Sequence, residues 1–226
     1  MMCGRFAMPW TPDELADRLG LDMDDNAAEV MPSYNVGPGA IVAAVRADTD
    51  GSPTLTGARW SLIPAWSGTD RLPYPTFNAR IESAADRPAF RGAARTGRIL
   101  VPMLGYYEWD AGHVPYWFHL PDDRPLLAAG LLSIWHGIPT CTILTRRAEG
   151  RCARVHDRMP VIIPPGHSYP WLTRRADTHA MLRDADRLGG EAVGLLDSHP
   201  VAPLHGDGPG LIEPVAPAPE QGLLFD

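Results

Sequence analysis

Proline and glycine set the first limit on what this chain can fold into. Of its 226 residues, 24 are Pro and 22 are Gly, spread along the whole length. Proline fixes φ and removes a backbone donor, and glycine weakens the interior of helices and strands, so the regular segments between them must be short. Helical signals are few. Thr11-Pro12-Asp13-Glu14 has the form of a capping box with proline at the first helical position, and Gly20 is a stop, which predicts a helix over 12–19. Trp171, Leu172, Met181 and Leu182 recur at helical spacing and predict a second over 170–188, and 84–97 is a candidate for a third. The other apolar runs have strand length and turn residues at their ends: 40–47, 57–63, 98–103, 115–120, 126–133, 139–145 and 160–163. Many short strands and few helices predict an α+β fold, a folded antiparallel or barrel-like sheet with few short helices. A single domain is expected over 1–215. The Pro/Ala-rich remainder, 216–226, is expected to be an extended, mobile tail.

A chain of this length buries roughly 70% of the surface its unfolded state exposes, so it needs no disulfide or metal to fold. The hydrophobic fraction of 45% and charged fraction of 21% exclude a disordered chain and a coiled coil. No apolar run approaches the roughly 18 residues of a membrane span, and the opening MMCGRFAMPW lacks the apolar core of a signal peptide, which predicts a cytoplasmic protein with no membrane partner. The three cysteines, Cys3, Cys141 and Cys152, are an odd number with no metal-ligand spacing, so no metal and no cofactor are expected. Cys141, in the run CTIL, reads as a small buried hydrophobe, and Cys152, among arginines, as unremarkable. All 20 basic residues are Arg, so a Schiff base on this protein cannot use a lysine amine.

The net charge of −7 hides a division. Residues 11–29 hold seven acids and one Arg, and residues 184–226 hold eight acids and one Arg, so the rest of the chain is basic. Two clusters, 80–98 and 145–158, each carry five Arg against two acids. If the fold brings them together, an acidic protein carries a basic groove. Otherwise they solvate a surface.

Several short patterns can carry chemistry. With the preceding residues absent, Cys3 has a free α-amine beside its thiol, a 1,2-aminothiol that condenses with an aldehyde and closes a thiazolidine ring. Left masked, it is an ordinary terminal cysteine. In Asn78-Ala79-Arg80-Ile81-Glu82 a neutral amide precedes a cation, which suits a sugar or carbonyl oxygen beside a phosphate, or equally a turn opening a helix. Glu108, flanked by aromatics in GYYEW after an apolar strand, is a candidate acid/base with a raised pKa, or a strand-end ion-pair partner. His156, before Asp157-Arg158-Met159-Pro160, can move protons near neutral pH, or cap a turn. Trp60 and Trp66 lie near prolines. Exposed indoles stack on unpaired bases, and one of the two is expected in the core.

In this order, CGRF at 3–6, YNVGPG at 34–39, RWSLIPAW at 59–66, FNARIES at 77–83, RPAFR at 87–91, ILVPMLGYYEW at 99–109, ILT at 143–145, HDRMPVII at 156–163 and DGPGLIEPV at 207–215, the chain resembles the SRAP family, the SOS-response-associated peptidases that include abasic-site-processing proteins. The resemblance spans Cys3 to about Val215. It implies a protein that binds single-stranded DNA and links its mature N-terminal cysteine to the aldehyde of a ring-opened abasic site as a thiazolidine. It implies Cys3 as nucleophile and amine donor, Asn78 as the group orienting the opened sugar or the Cys terminus, Glu108 as acid/base and His156 as proton carrier on the sugar hydroxyl. Arg5, Trp66, Arg80, Thr145 and Arg158 are the implied DNA-binding positions. It further implies a bacterial protein working at the nucleoid and replication fork. The oligomeric state is left open by the sequence, with a monomer as default.

The chain departs from the family pattern in four places. It begins Met-Met-Cys, so exposing Cys3 requires either a start at Met2, the favoured reading, or self-cleavage. Ser61 replaces a usual Gly, Met103-Leu104 replace Ala-Asp, and the Asn-containing stretch usual near 202–206 is missing, so the resemblance does not carry DNA contacts over to that loop. Two rival functions stay open: a thiol autopeptidase or hydrolase in which Cys3 attacks an acyl group, and a non-covalent single-strand binder with Cys3 masked. Finally, Gln221, Leu224 and Phe225 in the tail resemble a sliding-clamp-binding pentapeptide, an apolar plug on a tether.

Overall fold

The computed structural model describes residues 3–173 and 176–215. In chain order the elements are β1 (Arg5–Met8), α1 (Pro12–Leu19), β2 (Asp22–Met23), β3 (Ser33–Val36), β4 (Ile41–Ala47), β5 (Pro53–Trp60), β6 (Asn78–Arg80), α2 (Arg91–Thr96), β7 (Arg98–Met103), β8 (Gly105–Trp109), β9 (Pro115–His119), β10 (Leu126–Trp135), β11 (Ile138–Arg147), β12 (Arg158–Pro160), α3 (Ser168–Thr173), α4 (Thr178–Ala192) and β13 (Asp197–Pro200).

Five strands close on themselves. β5, β4, β7, β10 and β11 pair antiparallel in that order, and β11 returns to β5 through a parallel contact, Thr140 opposite Arg59 and Cys141 opposite Trp60. Closure over so few strands leaves little interior room. Small residues are buried along these strands on both faces, Ala43, Ala44, Ala58, Ala128 and Ala129. Beyond Cys141, β6 takes the place of β5 along β11, with Ile143 opposite Asn78 and Thr145 opposite Arg80. A second antiparallel sheet, ordered β13-β9-β8-β1-β3, stands beside the barrel. The chain crosses from β7 to β8 through Leu104 alone, whose N–H donates to Ala7 O at 2.8 Å.

Trp60 is the core indole of the pair. It is fully buried, with ring centroids 5.0 Å from Phe6 and 5.8 Å from Phe77. Its Nε1 donates to Phe77 O at 2.7 Å, which fixes the residue immediately before Asn78. Cys141 is buried as expected, and burial pushes its thiol up to about 12.

The helices differ in part from the sequence reading. The capping box at Thr11 forms as written, with Glu14 N donating to Thr11 Oγ1 and Thr11 N to Glu14 Oε2, and Gly20 closes α1 in the left-handed conformation. The helix expected over 170–188 is instead two, α3 and α4. Asp177 starts the second, its carboxylate accepting from Ala180 N at 2.9 Å. α4 then runs past the expected end through Gly189 and Gly190 to Ala192. Two interior glycines cost a helix about 1 kcal/mol each against Ala, so packing holds this stretch helical. Over 84–97 only α2, six residues long, is helical. No helix among the described residues is long and apolar enough to cross a membrane.

Candidate functional site

β1 and β8 pair antiparallel, Arg5 opposite Tyr107 and Phe6 opposite Tyr106, and this pairing carries the residues before β1 onto the end of β8. Cys3 is buried there, and its backbone nitrogen donates to Glu108 Oε2 at 2.8 Å. Its φ of 37° lies in the left-handed region that residues with a Cβ seldom occupy, a local strain of the kind that gathers at functional sites. Asn78 approaches from the other side, Nδ2 donating to Cys3 O at 3.2 Å. Both atoms of the Cys3 backbone that could move are therefore held, one by a carboxyl 105 residues away and one by an amide 75 residues away.

Burial dominates the electrostatics. Glu108 is 2% exposed, and its Oε1 has no hydrogen-bond partner among the described residues. Burial raises its pKa above the ordinary carboxylate range; the bonds to Cys3 and the charge of His156 oppose that rise without cancelling it. Burial also raises the Cys3 thiol well above its usual value, reinforced by Glu108, while the Arg158 cation pulls it down. Both shifts favour the protonated forms, which suits Glu108 and Cys3 to proton exchange with a bound group rather than to a standing ion pair.

His156 lies at the end of a short turn before β12. Its Nδ1 accepts from Arg158 N at 3.1 Å, so the neutral ring carries its proton on Nε2, and Asp157 Oδ1 lies 3.1 Å from Nδ1, where it would steady a charged ring. Tyr106, on the same face of β8 as Glu108, donates its hydroxyl to Cys152 Sγ at 3.6 Å. Cys152 is thus a buried anchor of the His156 turn rather than an incidental residue among arginines.

The pairing of β6 with β11 brings the two arginine clusters together at Arg80 and Thr145. Arg80 and Arg5 are exposed. Arg5 donates to Asn35 O at 3.2 Å and lies across Gly37, where a Cβ would stand 2.7 Å from its Nη1. Trp66 is 65% exposed, its Nε1 donating to Pro88 O at 3.4 Å. It borders a groove of about 440 Å³ floored by Ala89, Gly92, Leu132 and Ile134. Thr145 and Arg158 sit differently from these three. Thr145 is wholly buried, its hydroxyl toward Ala79 O, so its side chain offers no surface contact. Arg158 is 9% exposed, and its guanidinium forks onto Glu82 at 2.6 and 2.9 Å and donates to Thr145 O at 2.6 Å. Burial pushes the Glu82 carboxyl up, but the Arg158 fork outweighs this and the net shift is downward.

The sequence reading did not single out Glu82 or Tyr106. The signal for Glu82 was available, since it is one of only two acids in the first arginine cluster. The loop near 202–208, short of its usual Asn, is tied to β3: Asp207 accepts from Tyr34 N at 2.7 Å and Asn35 Nδ2 donates to Gly206 O at 2.8 Å. No cluster of His, Cys, Asp and Glu among the described residues could hold a metal ion. Gln221, Leu224 and Phe225 lie outside the described residues.

Residues 2–203 match the family model described as SOS response associated peptidase (SRAP). The abasic site processing protein YoaM of Bacillus subtilis is 33% identical over 215 residues, covering 88% of this chain and 94% of that protein. The abasic site processing protein YedK of Escherichia coli is 26% identical over 181 residues, 76% of this chain and 79% of its own length. A crystal structure of a protein from Bacteroides thetaiotaomicron shares the fold, with a TM-score of 0.79 at 19% identity over 95% of this chain and 100% of that one.

Proposed function

The chain belongs to the SRAP family, and on that footing we propose that it processes abasic sites by linking Cys3 covalently to them in single-stranded DNA. The observation that carries the reading is the Cys3 nitrogen, 2.8 Å from the buried Glu108 carboxyl. Unmasked, that nitrogen is an α-amine with a pKa of about 8. It adds to the C1′ aldehyde of the ring-opened sugar, and the carbinolamine loses water to give an imine. The Cys3 sulfur then adds to the imine carbon while its proton passes to the nitrogen. One water leaves overall, and no oxidant, metal or cofactor is required.

Glu108 takes the proton from the attacking nitrogen and returns it to the departing hydroxyl. Asn78 holds the Cys3 carbonyl so that nitrogen and sulfur face the same carbon. His156, with its proton on Nε2, serves the sugar hydroxyl. Arg5 and Arg80 meet phosphates and Trp66 stacks on a base, while Arg158 and Thr145 support the site from within. Affinity before reaction falls as salt rises. Cys3→Ser tests the chemistry directly. It keeps the amine but cannot close the ring, so its adduct should survive denaturation only after borohydride reduction, whereas the wild-type adduct survives without it. A Cys3→Ser adduct stable without reduction would sink the thiazolidine.

A second reading has one observation in its favour. In the sequence the nitrogen held by Glu108 is that of the Met2–Cys3 peptide bond; the Cys3 sulfur can take the Met2 acyl group as a thioester while Glu108 protonates the departing nitrogen, and water then releases that acyl group as a carboxylic acid. Self-cleavage would make Glu108→Gln retain residues 1 and 2 where the wild type loses them. Identical N-termini would exclude it. The proposal extends to a monomer at the bacterial nucleoid whose tail reaches the sliding clamp through Gln221, Leu224 and Phe225. Retention of Phe225→Ala on immobilised clamp equal to wild type would refute that part.

A further inference from the structure

The turn carrying His156 is fastened from outside the site. Glu149 O accepts from Cys152 N at 3.1 Å and Ala153 N at 3.3 Å, Cys152 O accepts from Val155 N at 3.0 Å and His156 N at 3.1 Å, and Ala148 N donates to Asp157 O at 2.9 Å. Residues 148–157 thus form a closed loop with His156 near its end. One fastening is Tyr106 against Cys152. The other is Arg146. Its Nη2 donates to Glu149 Oε1 at 2.8 Å and its Nε to Asp186 of α4 at 2.9 Å.

Arg146 is set deep for this purpose. Its side chain is 6% exposed, against 54% for Glu149 and 43% for Asp186. It fills a notch in α4 that exists because the helix has glycine there. A Cβ on Gly189 would stand 2.9 Å from Arg146 Cδ, and one on Gly190 3.2 Å from Nη2. Interior helix glycines weaken the helix, a buried guanidinium is expensive to desolvate, and Nη1 has no hydrogen-bond partner among the described residues. An apolar side chain would fold here at lower cost. Local rules broken together at one place point to function. What this place links is the His156 turn. Neighbouring residues of β11 serve its two ends, Thr145 receiving Arg158 and Arg146 gripping Glu149, with His156 between.

We propose that Arg146 is a positioning residue for His156, clamping the 148–157 turn between β11 and α4 and so fixing the orientation of the imidazole. Its effect on the reaction rests on the proton-carrying role of His156 proposed above; its effect on the ring's orientation does not.

The test combines two readouts on Arg146→Met and on Glu149→Gln, whose altered side chain is largely solvent-exposed. The first is nitrogen-15 NMR of the histidine rings. In the wild type His156 should show the Nε2–H tautomer. In both variants its two ring nitrogens should shift toward averaged tautomers, more in Arg146→Met, while His119 and His199, bonded to Leu120 O and Ile212 O, stay in place. The second is adduct formation on an abasic oligonucleotide. Arg146→Met should slow it about 10- to 100-fold, to the rate of His156→Ala, and the double variant should be no slower. An unshifted His156 ring in the folded variants, or multiplying losses in the double variant, overturns the proposal. A shifted ring with His156→Ala reacting at the wild-type rate overturns the catalytic role of His156 and leaves the positioning standing.

Discussion

Replacing Glu108 by Gln separates what this side chain holds from what it transfers. Glu108 is 2% exposed, with Oε2 on Cys3 N at 2.8 Å and Oε1 unpartnered among the described residues. Gln has the same shape, and its carbonyl can keep the bond to Cys3. What it loses is the exchangeable proton, and a positioned acid/base is worth about 10²–10⁴-fold in rate. Adduct formation should fall by about that factor with DNA affinity unchanged. Stability moves the other way. Burial raises the folded-state pKa of Glu108, so the folded protein holds this proton more tightly than the unfolded chain. The stability so contributed is whole below the unfolded value of about 4.3 and is lost as pH climbs through the raised one. Gln does not titrate. Its amide nitrogen takes the unpartnered place of Oε1, but a neutral group there costs less than a charged one, by about 1 kcal/mol. In a chain of this size that is about 2–4 °C in Tm. In the chain that keeps Met2, where the Cys3 nitrogen is a neutral amide, Glu108→Gln should therefore melt about 2–4 °C above wild type at pH 8 and level with it at pH 4. A variant that melts lower at pH 8, keeps its advantage at pH 4, or reacts at the wild-type rate would refute the reasoning.

Three other substitutions probe separate parts of the site. Asn78→Ala removes the bond to Cys3 O, a neutral hydrogen bond worth about 0.5–1.5 kcal/mol, and should slow single-turnover adduct formation about 2- to 10-fold without altering DNA affinity. Trp66→Ala removes an exposed indole and should weaken single-strand binding, read by fluorescence anisotropy, about 5- to 150-fold with no change in Tm; equal affinity would mean that Trp66 stacks on nothing. Glu82→Gln takes the carboxylate from the Arg158 fork. Since the Glu82 pKa is lowered on balance, its contribution is present above the ordinary carboxylate range and lost as pH falls below it. With Glu82 half exposed the effect is about 1 kcal/mol, so urea midpoints should favour wild type at pH 6 and draw together as pH falls below the ordinary carboxylate range.

The sequence was most informative where structure is local. The capping box at Thr11 needs only near neighbours, and the strand over 98–103 is marked by its own apolar run; both stand as read. The errors are tertiary. β1, β3, β6 and β13 are three or four residues long and owe their existence to partners far along the chain, so no window of sequence announces them. Gly189-Gly190 reads as a helix stop, and only the Arg146 side chain lodged against it explains why α4 continues. The site divides in the same way. Cys3, Asn78, Glu108 and His156 were each legible as chemistry, and the order of motifs linked them. Their meeting depends on strand register, Phe6 opposite Tyr106 and Asn78 opposite Ile143, which spacing does not encode. Arg158 looked like a surface cation because its partner Glu82 lies 76 residues away.

The most direct test of the central claim is the intact mass of the purified native protein, alone and after mixing with a single-stranded oligonucleotide carrying one abasic site. The account predicts a protein that begins at Cys3 and an adduct equal to protein plus oligonucleotide minus one water. A protein that still carries methionine before Cys3 and gives no adduct, or an adduct formed without loss of water, would contradict it.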